Sequence, residues 1–299
     1  MKKFRSTVAQ IELKSGMAYV IQLDDGRFLL IDGGDKFGAD GERLYKYLSE
    51  KAEGEKPVIA AWFFSHGHRD HIRLAYRFME EYAKCVEIQR IAYNIPLNVE
   101  YSGYDKTSGV NDEQEEQMWY KTIENFPDAE KRVLKTGDVF TFANARVDVL
   151  STAFDPYPAS PTNRNETSAI FKVSFDSEKS FMVLGDAMSD RLAALIDCNS
   201  TIYCSDDILK SDILQVAHHG LCVCRKEQYE AVTQLYKKIA PKICFWPTSA
   251  RRFYNDTWCQ SEEYPYNQFL LTSAKEKNFH QSQTTVIDIE SFEISIWGK

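Results

Sequence analysis

The chain has 299 residues, of which 43% are hydrophobic and 27% charged, and its formal net charge is −8 at pH 7. This composition is typical of a folded globular protein and excludes collagen-like and disordered classes. The acidic excess argues against a surface that binds nucleic acid without sequence specificity, because such binding depends on clustered Lys and Arg. We therefore expect no strong nucleic-acid surface.

The amino terminus and the cysteines bear on location. Residues 1–16 mix polar and charged side chains where a signal peptide needs a continuous apolar run. No later segment reaches the ~18 uninterrupted apolar residues of a membrane span. Seven cysteines without regular spacing fit buried thiols in a reducing compartment. These features predict a cytoplasmic protein that does not engage a membrane.

The first part of the chain predicts a hairpin, a helix and a buried strand. Two alternating apolar runs flank the turn signal at residues 24–26, and a helix is indicated over residues 41–52. Residues 57–64, PVIAAWFF, are the continuous apolar run of a strand buried on both faces. A second helix is indicated by four apolar residues at helical spacing, Ile72, Ala75, Met79 and Tyr82.

The rest of the chain continues the alternation of strands and helices. Residues 94–130 are polar and tyrosine-rich, contain a predicted exposed helix, and are interpreted as a lid insertion over a site. A second hairpin is indicated at 168–186, and a helix is marked by Val232, Leu235, Tyr236 and Ile239. Residues 251–266 are interpreted as an aromatic C-terminal loop. Since no linker divides the chain, one domain over 1–299 is expected.

The stretch FFSHGHRDHI, residues 63–72, places three of the chain's six histidines within six residues. Alternate residues of an extended segment point the same way, so His66 and His68 can reach one metal ion. Asp70 and His71 turn into the following helix and can face a second ion. A mixed imidazole and carboxylate set suits Zn²⁺ and also accepts Mn²⁺ or Fe. The sequence therefore predicts a metal site after a buried strand.

Two later motifs place similar side chains at predicted strand ends. VLGDA ends a strand at Asp186, where a carboxylate can bridge two ions, and VAHHG ends another at His218 and His219. The carboxyl ends of strands in open α/β sheets are where ligands usually bind. These motifs strengthen the prediction of a metal site.

The ordered motifs resemble the metallo-β-lactamase fold superfamily. They are Asp32-Gly-Gly, His66-x-His68-x-Asp70-His71, Gly185-Asp186 and His218-His219-Gly. Within it, NRNETSAIFKVSF (163–175) followed by VLGD and AHHG is most similar to the branch that contains the hydrolase domain of ComEC-type DNA-uptake proteins. The resemblance covers roughly residues 5–250 by the order and spacing of motifs. It implies an α/β fold, a four-layer αββα sandwich.

The resemblance also implies a role for each motif residue. His66 and His68 would bind the first ion, Asp70 and His71 the second, and Asp186 would bridge them. Of the histidine pair, His219 is favoured as the last ligand of the second ion, with His218 beside it as an acid–base group. Asp32 would orient the His loop. The family's further histidine, some twenty residues before the bridging aspartate, is replaced near Asn165, a weak ligand.

The activity implied is that of a metallo-hydrolase using a metal-activated water. A bound ion, most often Zn²⁺, lowers the pKa of its water to about 7. Asp70 would orient or deprotonate that water, His218 would protonate the leaving group, and Arg251 and Arg252 could clamp a phosphate. A small or short phosphodiester or phosphate ester is the leading substrate. The alternatives are a lactonase or carboxylic-ester hydrolase and, in another class, a di-iron redox or sensing protein.

Overall fold

A computed structural model gives the structure of the protein and describes residues 3–96, 112–153, 163–196, 206–221, 226–275 and 277–299. The strands in these residues are β1 (Thr7–Gln10), β2 (Tyr19–Gln22), β3 (Phe28–Ile31), β4 (Val58–Phe64), β5 (Glu87–Ile88), β6 (Arg90–Tyr93), β7 (Glu130–Val133), β8 (Val139–Phe142), β9 (Ala145–Ser151), β10 (Ile170–Phe175), β11 (Ser180–Val183), β12 (Ile213–Gln215), β13 (Ile243–Trp246), β14 (Asn278–His280), β15 (Thr285–Asp288) and β16 (Ile294–Ile296). The α-helices are α1 (Asp40–Lys51), α2 (Arg69–Tyr82), α3 (Asp112–Glu124), α4 (Ser189–Ala194), α5 (Asp206–Leu209), α6 (Tyr229–Ile239), α7 (Ala250–Phe253) and α8 (Pro265–Ser273).

These strands form two sheets. The first has the order β16-β15-β1-β2-β3-β4-β6-β7, with β5 also paired to β4, and the second has the order β14-β13-β12-β11-β10-β9-β8. Strands β3 and β4 are parallel neighbours in the first sheet, as are β11, β12 and β13 in the second. Because parallel neighbours end at the same edge, the loops that follow them meet there.

The apolar side chains form three cores, one between the two sheets and one on the outer face of each sheet. Side chains alternate across a strand, so Tyr19 and Ile21 face the core between the sheets whereas Val20 faces the helices. The central core also receives Phe171 and Phe245 from the second sheet. Helices α1, α2 and α3 cover the outer face of the first sheet, and α4, α6 and α8 cover that of the second. This arrangement confirms the predicted αββα sandwich.

Several predicted elements are present at their expected positions. The hairpin around residues 24–26 joins β2 and β3, and the apolar run at residues 57–64 is β4, with six of its seven residues buried. The helix after the His loop is α2, the second hairpin joins β10 and β11, and the helix marked by Val232 is α6. None of the described helices is long and apolar enough to span a membrane.

The helix predicted as exposed within residues 94–130 is α3, but only one of its faces is exposed. Trp119 is fully buried and Ile123 almost so, because both lie on a narrow apolar stripe that packs in the core beneath α2. Strand β7, which begins in the same segment, pairs with β6 at the edge of the first sheet. Residues 97–111 lie outside the described residues, so a lid over the site stays a prediction there.

The segment 251–266 is mostly the predicted loop, since residues 254–264 lie outside helices and strands, but a helix occupies each of its ends. Arg251 and Arg252 lie in helix α7, and helix α8 begins at Pro265, a residue favoured in the first turn of a helix. Phe253 and Tyr266 are buried in the core that covers the outer face of the second sheet. Phe253 and Tyr266 therefore belong to the core, whereas Tyr254 is 65% exposed. The arginines are carried by a short helix.

Candidate metal centre

The predicted metal ligands come together at one edge of the sandwich. The His loop, residues 65–71, follows β4, and Asp32 follows the neighbouring parallel strand β3. Asp186 and the histidine pair 218–219 follow β11 and β12, which are parallel neighbours in the other sheet. Each sheet therefore contributes part of the site.

The first donor cluster contains His66, His68 and Asp186, whose ligand atoms all lie within 4.8 Å of one another. His66 Nε2 is 3.2 Å from His68 Nδ1, and His66 is fully buried. Burial, followed by the proximity of His71, holds the pKa of His66 well below its usual range. The imidazole of His66 is therefore neutral, which is the form that binds a metal ion.

The second donor cluster contains Asp70, His71 and His219, again within 4.8 Å. His219 Nε2 lies 3.3 Å from Asp70 Oδ2 and 3.2 Å from Asp186 Oδ2. The same Asp186 oxygen lies 3.2 Å from His71 Nε2. Asp186 thus touches both histidines of the second cluster while belonging to the first, which is the geometry expected of a bridging carboxylate.

The remaining ring nitrogens of both ligand histidines in the second cluster are fixed by hydrogen bonds. His71 Nδ1 donates to Asp32 Oδ2 at 2.9 Å, and His219 Nδ1 donates to the Pro247 carbonyl at 2.7 Å. Asp32 also accepts hydrogen bonds from the Ser65 backbone N–H and hydroxyl, both at 2.7 Å. Such partners set the tautomer and leave Nε2 of each ring as the atom that would bind an ion. The structure therefore places Asp32 as the residue that orients the His loop.

The carboxylates and histidines around the second cluster shift one another's pKa values. Burial disfavours charged imidazole, but the carboxylates outweigh it: Asp186 and Asp32 raise the pKa of His71 well above its usual value, and Asp186 and Asp70 raise the pKa of His219 to about 10. Burial favours neutral Asp70 and Asp186, yet the same histidines hold both carboxyl pKa values well below the usual range. Protons therefore supply the positive charge between these carboxylates when no metal ion does.

Buried atoms that lack a hydrogen-bond partner show whether these residues fit metal ions. Among the described residues, His71 Nε2, His219 Nε2 and Asp186 Oδ1 are buried and have no hydrogen-bond partner. Buried polar atoms without hydrogen-bond partners cost free energy, and here both imidazole nitrogens lie 3.2 Å from Asp186 Oδ2, the other oxygen of the same carboxylate. Divalent cations would satisfy all three with imidazole and carboxylate donors. The residues therefore fit metal ions.

The backbone at the site adopts an uncommon conformation. Asp32, His218 and His219 have φ values of 53°, 48° and 58°, in the left-handed region that residues other than glycine rarely occupy. Such positions are strained and persist only where the surrounding structure holds them. No periodicity or composition rule could have predicted these conformations from the sequence.

His218 and Asn165 lie beside each other rather than in a donor cluster. The Asn165 side-chain nitrogen is 3.2 Å from His218 Nε2, and Asn165 Oδ1 is buried with no hydrogen-bond partner among the described residues. Within the described part of the chain, neither cluster includes His218. The geometry thus favours His219 over His218 as the ligand, and it leaves His218 near the site with its ring held by an amide.

Gln215 is a supporting residue that the sequence did not single out. Its Oε1 accepts hydrogen bonds from the Leu184 and Gly185 N–H groups, both at 2.7 Å. Its Nε2 donates to the carbonyls of Gly185 at 3.0 Å and Val216 at 2.6 Å. One fully buried side chain therefore satisfies four backbone groups in the two loops that carry Asp186 and the histidine pair. Only its position at the end of a buried strand could have suggested this role.

A buried ion pair supports the other side of the site and was also missed. Arg164 donates to both oxygens of Glu116, at 2.8 and 3.2 Å, and both side chains are at most 10% exposed. A Cβ at Gly67, between the two histidines of the first cluster, would collide with the Glu116 carboxylate. Glu116 of α3 thus packs on the His loop and also holds the segment that carries Asn165.

Arg251 and Arg252 lie beside the second cluster. They line a cavity of about 440 Å³ that also reaches Asp70 and His219. Asp70 is the most open carboxylate of the centre, since its side chain is 28% exposed against 3% for Asp186. The structure therefore brings both arginines to the open side of the metal centre.

The fold and the site define a class of protein: an αββα sandwich with two His/Asp donor clusters at one edge of its sheets. Residues 12–140 match the family model described as the metallo-β-lactamase superfamily, whose members are mostly hydrolases. The chain thus has the metallo-β-lactamase fold, a type that holds two metal ions. No curated protein sequence is similar enough to count as a match.

Solved structures agree with this fold at low sequence identity. The metallo-β-lactamase fold protein YhfI from Bacillus subtilis is 13% identical with a TM-score of 0.51, over 92% of this chain and 96% of YhfI. Yeast PDE1 is 10% identical with a TM-score of 0.50, over 93% of this chain and 98% of PDE1. CmlA, a diiron β-hydroxylase from Streptomyces venezuelae, is 8% identical with a TM-score of 0.55, over 95% of this chain and 54% of CmlA. Proteins with different described activities therefore share this fold.

Proposed function

We propose that the protein is a metal-dependent hydrolase of a phosphodiester or phosphate ester and that it holds two divalent ions. The position of Asp186 carries the proposal. Its carboxylate contacts His71 and His219 at 3.2 Å and also belongs to the donor set of His66 and His68. Two ions that share a ligand lie about 3.5–4 Å apart in enzymes that cleave phosphate esters.

The side chains around the centre have distinct tasks in this reaction. Divalent ions bound at such a site acidify water and neutralise negative charge on a phosphoryl group. Asp70 is the carboxylate open to the cavity, so it is placed to orient the attacking water and accept its proton. His218 is half-buried beside Asn165 and would donate a proton to the leaving oxygen. Asp32 and Pro247 hold the ligand imidazoles in position.

The finer family assignment is part of the same proposal. The ComEC-like branch is supported by the stretch 163–175, which places Asn165 against His218. It is also supported by the sequence between His71 and His218, which contains no histidine. In this branch the first ion would have His66, His68 and Asp186 as its protein ligands, with Asn165 as a weak additional donor.

Turnover of bis-p-nitrophenyl phosphate with added Mn²⁺ or Zn²⁺ tests the proposal. We expect release of p-nitrophenolate by the wild-type protein, a loss of at least about a hundredfold in Asp186→Asn, and full activity in Asp128→Asn, an exposed carboxylate remote from the site. Turnover of a carboxylic ester or a lactone without phosphodiester turnover would establish the lactonase or esterase instead. Bound iron with a visible charge-transfer band and no hydrolysis would indicate a redox or sensing protein.

A further inference from the structure

The cavity beside the second donor cluster has a composition that the metal centre does not explain. Its volume is about 440 Å³, and Asp70 and His219 line it. Three cationic residues also line it, Lys14, Arg251 and Arg252, and the Lys14 ammonium lies over the Phe37 ring at 5.4 Å. A molecule in this cavity would therefore touch both the metal ligands and the cationic side chains.

Among the described residues, no carboxylate forms an ion pair with the cations of this cavity. Asp70 is the one acidic residue among the described residues that line it. Arg251 is exposed and makes no ion pair with any described residue, and the Arg252 guanidinium lies over the Trp258 ring at 4.9 Å. Three cations without a carboxylate partner in the described part of the chain stand out, since the net charge of the chain is −8. Such a cluster favours a negatively charged ligand.

Buried polar atoms mark the same cavity as a built site. Thr248 and Gln281 line it and are 3% and 2% exposed, and the Gln281 N–H donates to the Thr248 carbonyl at 2.9 Å. Thr248 Oγ1 and Gln281 Oε1 have no hydrogen-bond partner among the described residues. Unpartnered buried groups are uncommon in native proteins and often belong to ligand sites. A hydroxyl can rotate to donate to an anionic oxygen.

Counting charges shows that the reacting phosphate does not need all of these cations. Two divalent ions carry four positive charges, whereas the carboxylates of Asp32, Asp70 and Asp186, an attacking hydroxide and a phosphodiester together carry five negative charges. One cation balances the remaining negative charge. Of the three positive charges of Lys14, Arg251 and Arg252, two are therefore surplus to the reacting group.

We infer that the substrate carries a second anionic group, a phosphate or a carboxylate, a few bonds from the phosphodiester that is cleaved. Arg251 binds this group by paired hydrogen bonds, as guanidinium groups bind oxyanions, and Lys14 and Arg252 add charge. Trp258 holds the Arg252 guanidinium plane toward the cavity. This inference rests on the proposed function, because it concerns the substrate of the same site.

A matched substrate series tests the inference on the metal-loaded protein. Three alkyl p-nitrophenyl phosphates of equal chain length would end in methyl, carboxylate or phosphate. We expect kcat/KM to be about tenfold higher for a charged end than for the methyl end, a preference that shrinks with added salt. In Arg251→Met and Lys14→Met the ratio of charged to methyl-ended substrate should fall toward one. Arg5→Met, a highly exposed arginine away from this cavity, should keep the wild-type ratio.

The outcomes separate the two proposals. Equal kcat/KM for all three substrates in the wild type, or a preference that survives in both Arg251→Met and Lys14→Met, overturns the second-anion site while the phosphodiesterase stands. A preference for the phosphate end alone, or for the carboxylate end alone, identifies which anion the site accepts. Absence of turnover for the whole series overturns the proposed function and this inference with it.

Discussion

Gln215 pairs with both backbone groups of Gly185. Its side-chain oxygen accepts the Gly185 N–H at 2.7 Å, and its side-chain nitrogen donates to the Gly185 carbonyl at 3.0 Å. The same carbonyl accepts the His218 N–H at 3.1 Å. One amide therefore joins the loop of Asp186 to the loop of the histidine pair.

Replacing Gln215 should damage both stability and metal binding. Gln215→Leu leaves buried backbone groups without partners, and we expect a loss of about 3 kcal/mol in the free energy of unfolding. Metal affinity should fall roughly 10- to 100-fold because the loop of Asp186 is no longer held. Urea unfolding and metal titration would measure the two effects.

A glutamine elsewhere provides the control. Gln268 donates to the carbonyls of Gln260 and Ser261, away from the donor clusters. Gln268→Leu should lose stability while metal affinity stays at the wild-type value. Equal metal affinity in Gln215→Leu and the wild type would contradict the supporting role.

The metal content of ligand variants should follow the two donor clusters. We expect about two ions per wild-type chain purified without chelator, measured by plasma mass spectrometry. His68→Ala should lose the ion of the first cluster and His71→Ala that of the second, whereas Asp186→Asn should weaken both. If one equivalent is present and only His71→Ala removes it, the first cluster holds no ion and the two-ion mechanism is wrong.

Removing the ions should lower stability because the donors are buried. A ligand that binds only the folded state stabilises it by about 2.7 kcal/mol at a free concentration 100 times its dissociation constant. We expect chelator to lower the Tm of the wild type and of Asp128→Asn equally, and added metal to restore both. The Tm of Asp186→Asn should change little. An unchanged wild-type Tm in chelator would show that the ions do not stabilise the fold.

Removing one partner of the buried Arg164–Glu116 ion pair should lower the free energy of unfolding. Arg164→Met leaves the Glu116 carboxylate buried and unpaired, and we expect a loss of about 3–5 kcal/mol in the free energy of unfolding. The double variant Arg164→Met/Glu116→Leu removes both charges and should recover most of that loss. Chemical unfolding of the single and double variants would measure this coupling.

The Arg132–Asp138 pair is a suitable comparison because its arginine is 46% exposed. Arg132→Met should cost less than about 1 kcal/mol. If Arg164→Met costs no more than Arg132→Met, the buried pair does not support the His loop.

Local patterns predicted much of the framework of this fold. Strand β4 and helix α2 follow from an apolar run and from helical spacing, and the loop between them is where metal-binding side chains concentrate. The motifs around Asp186 and His219 were predicted to lie near the site because both follow strands, and their roles as ligands came from the family resemblance. The structure brings these residues within contact distance of the His loop.

Features set by distant contacts could not be predicted from the sequence. Helix α3 is predicted to be exposed because its charged residues outnumber its apolar ones. Its Trp119 is nevertheless fully buried and alone supplies a large buried surface. Glu116 and Arg164 are separated by 48 positions, so no local pattern predicts their ion pair. Gln215 differs from other glutamines only in its surroundings, which the folded structure supplies. The segment 251–266 was predicted as a loop throughout, and the structure adds a helix at each of its ends.

The division of the donors between the two sheets makes the metal centre a cross-link. His66 and Asp186 are 120 positions apart (186 − 66), and residues 12–140, the part matched by the family model, lack both Asp186 and His219. An ion bound by His66 and Asp186 therefore closes a long loop and joins the two halves of the sandwich. If the chain were divided between β7 and β8, neither fragment alone would hold a complete donor cluster, and tight metal binding would report that the two halves have assembled.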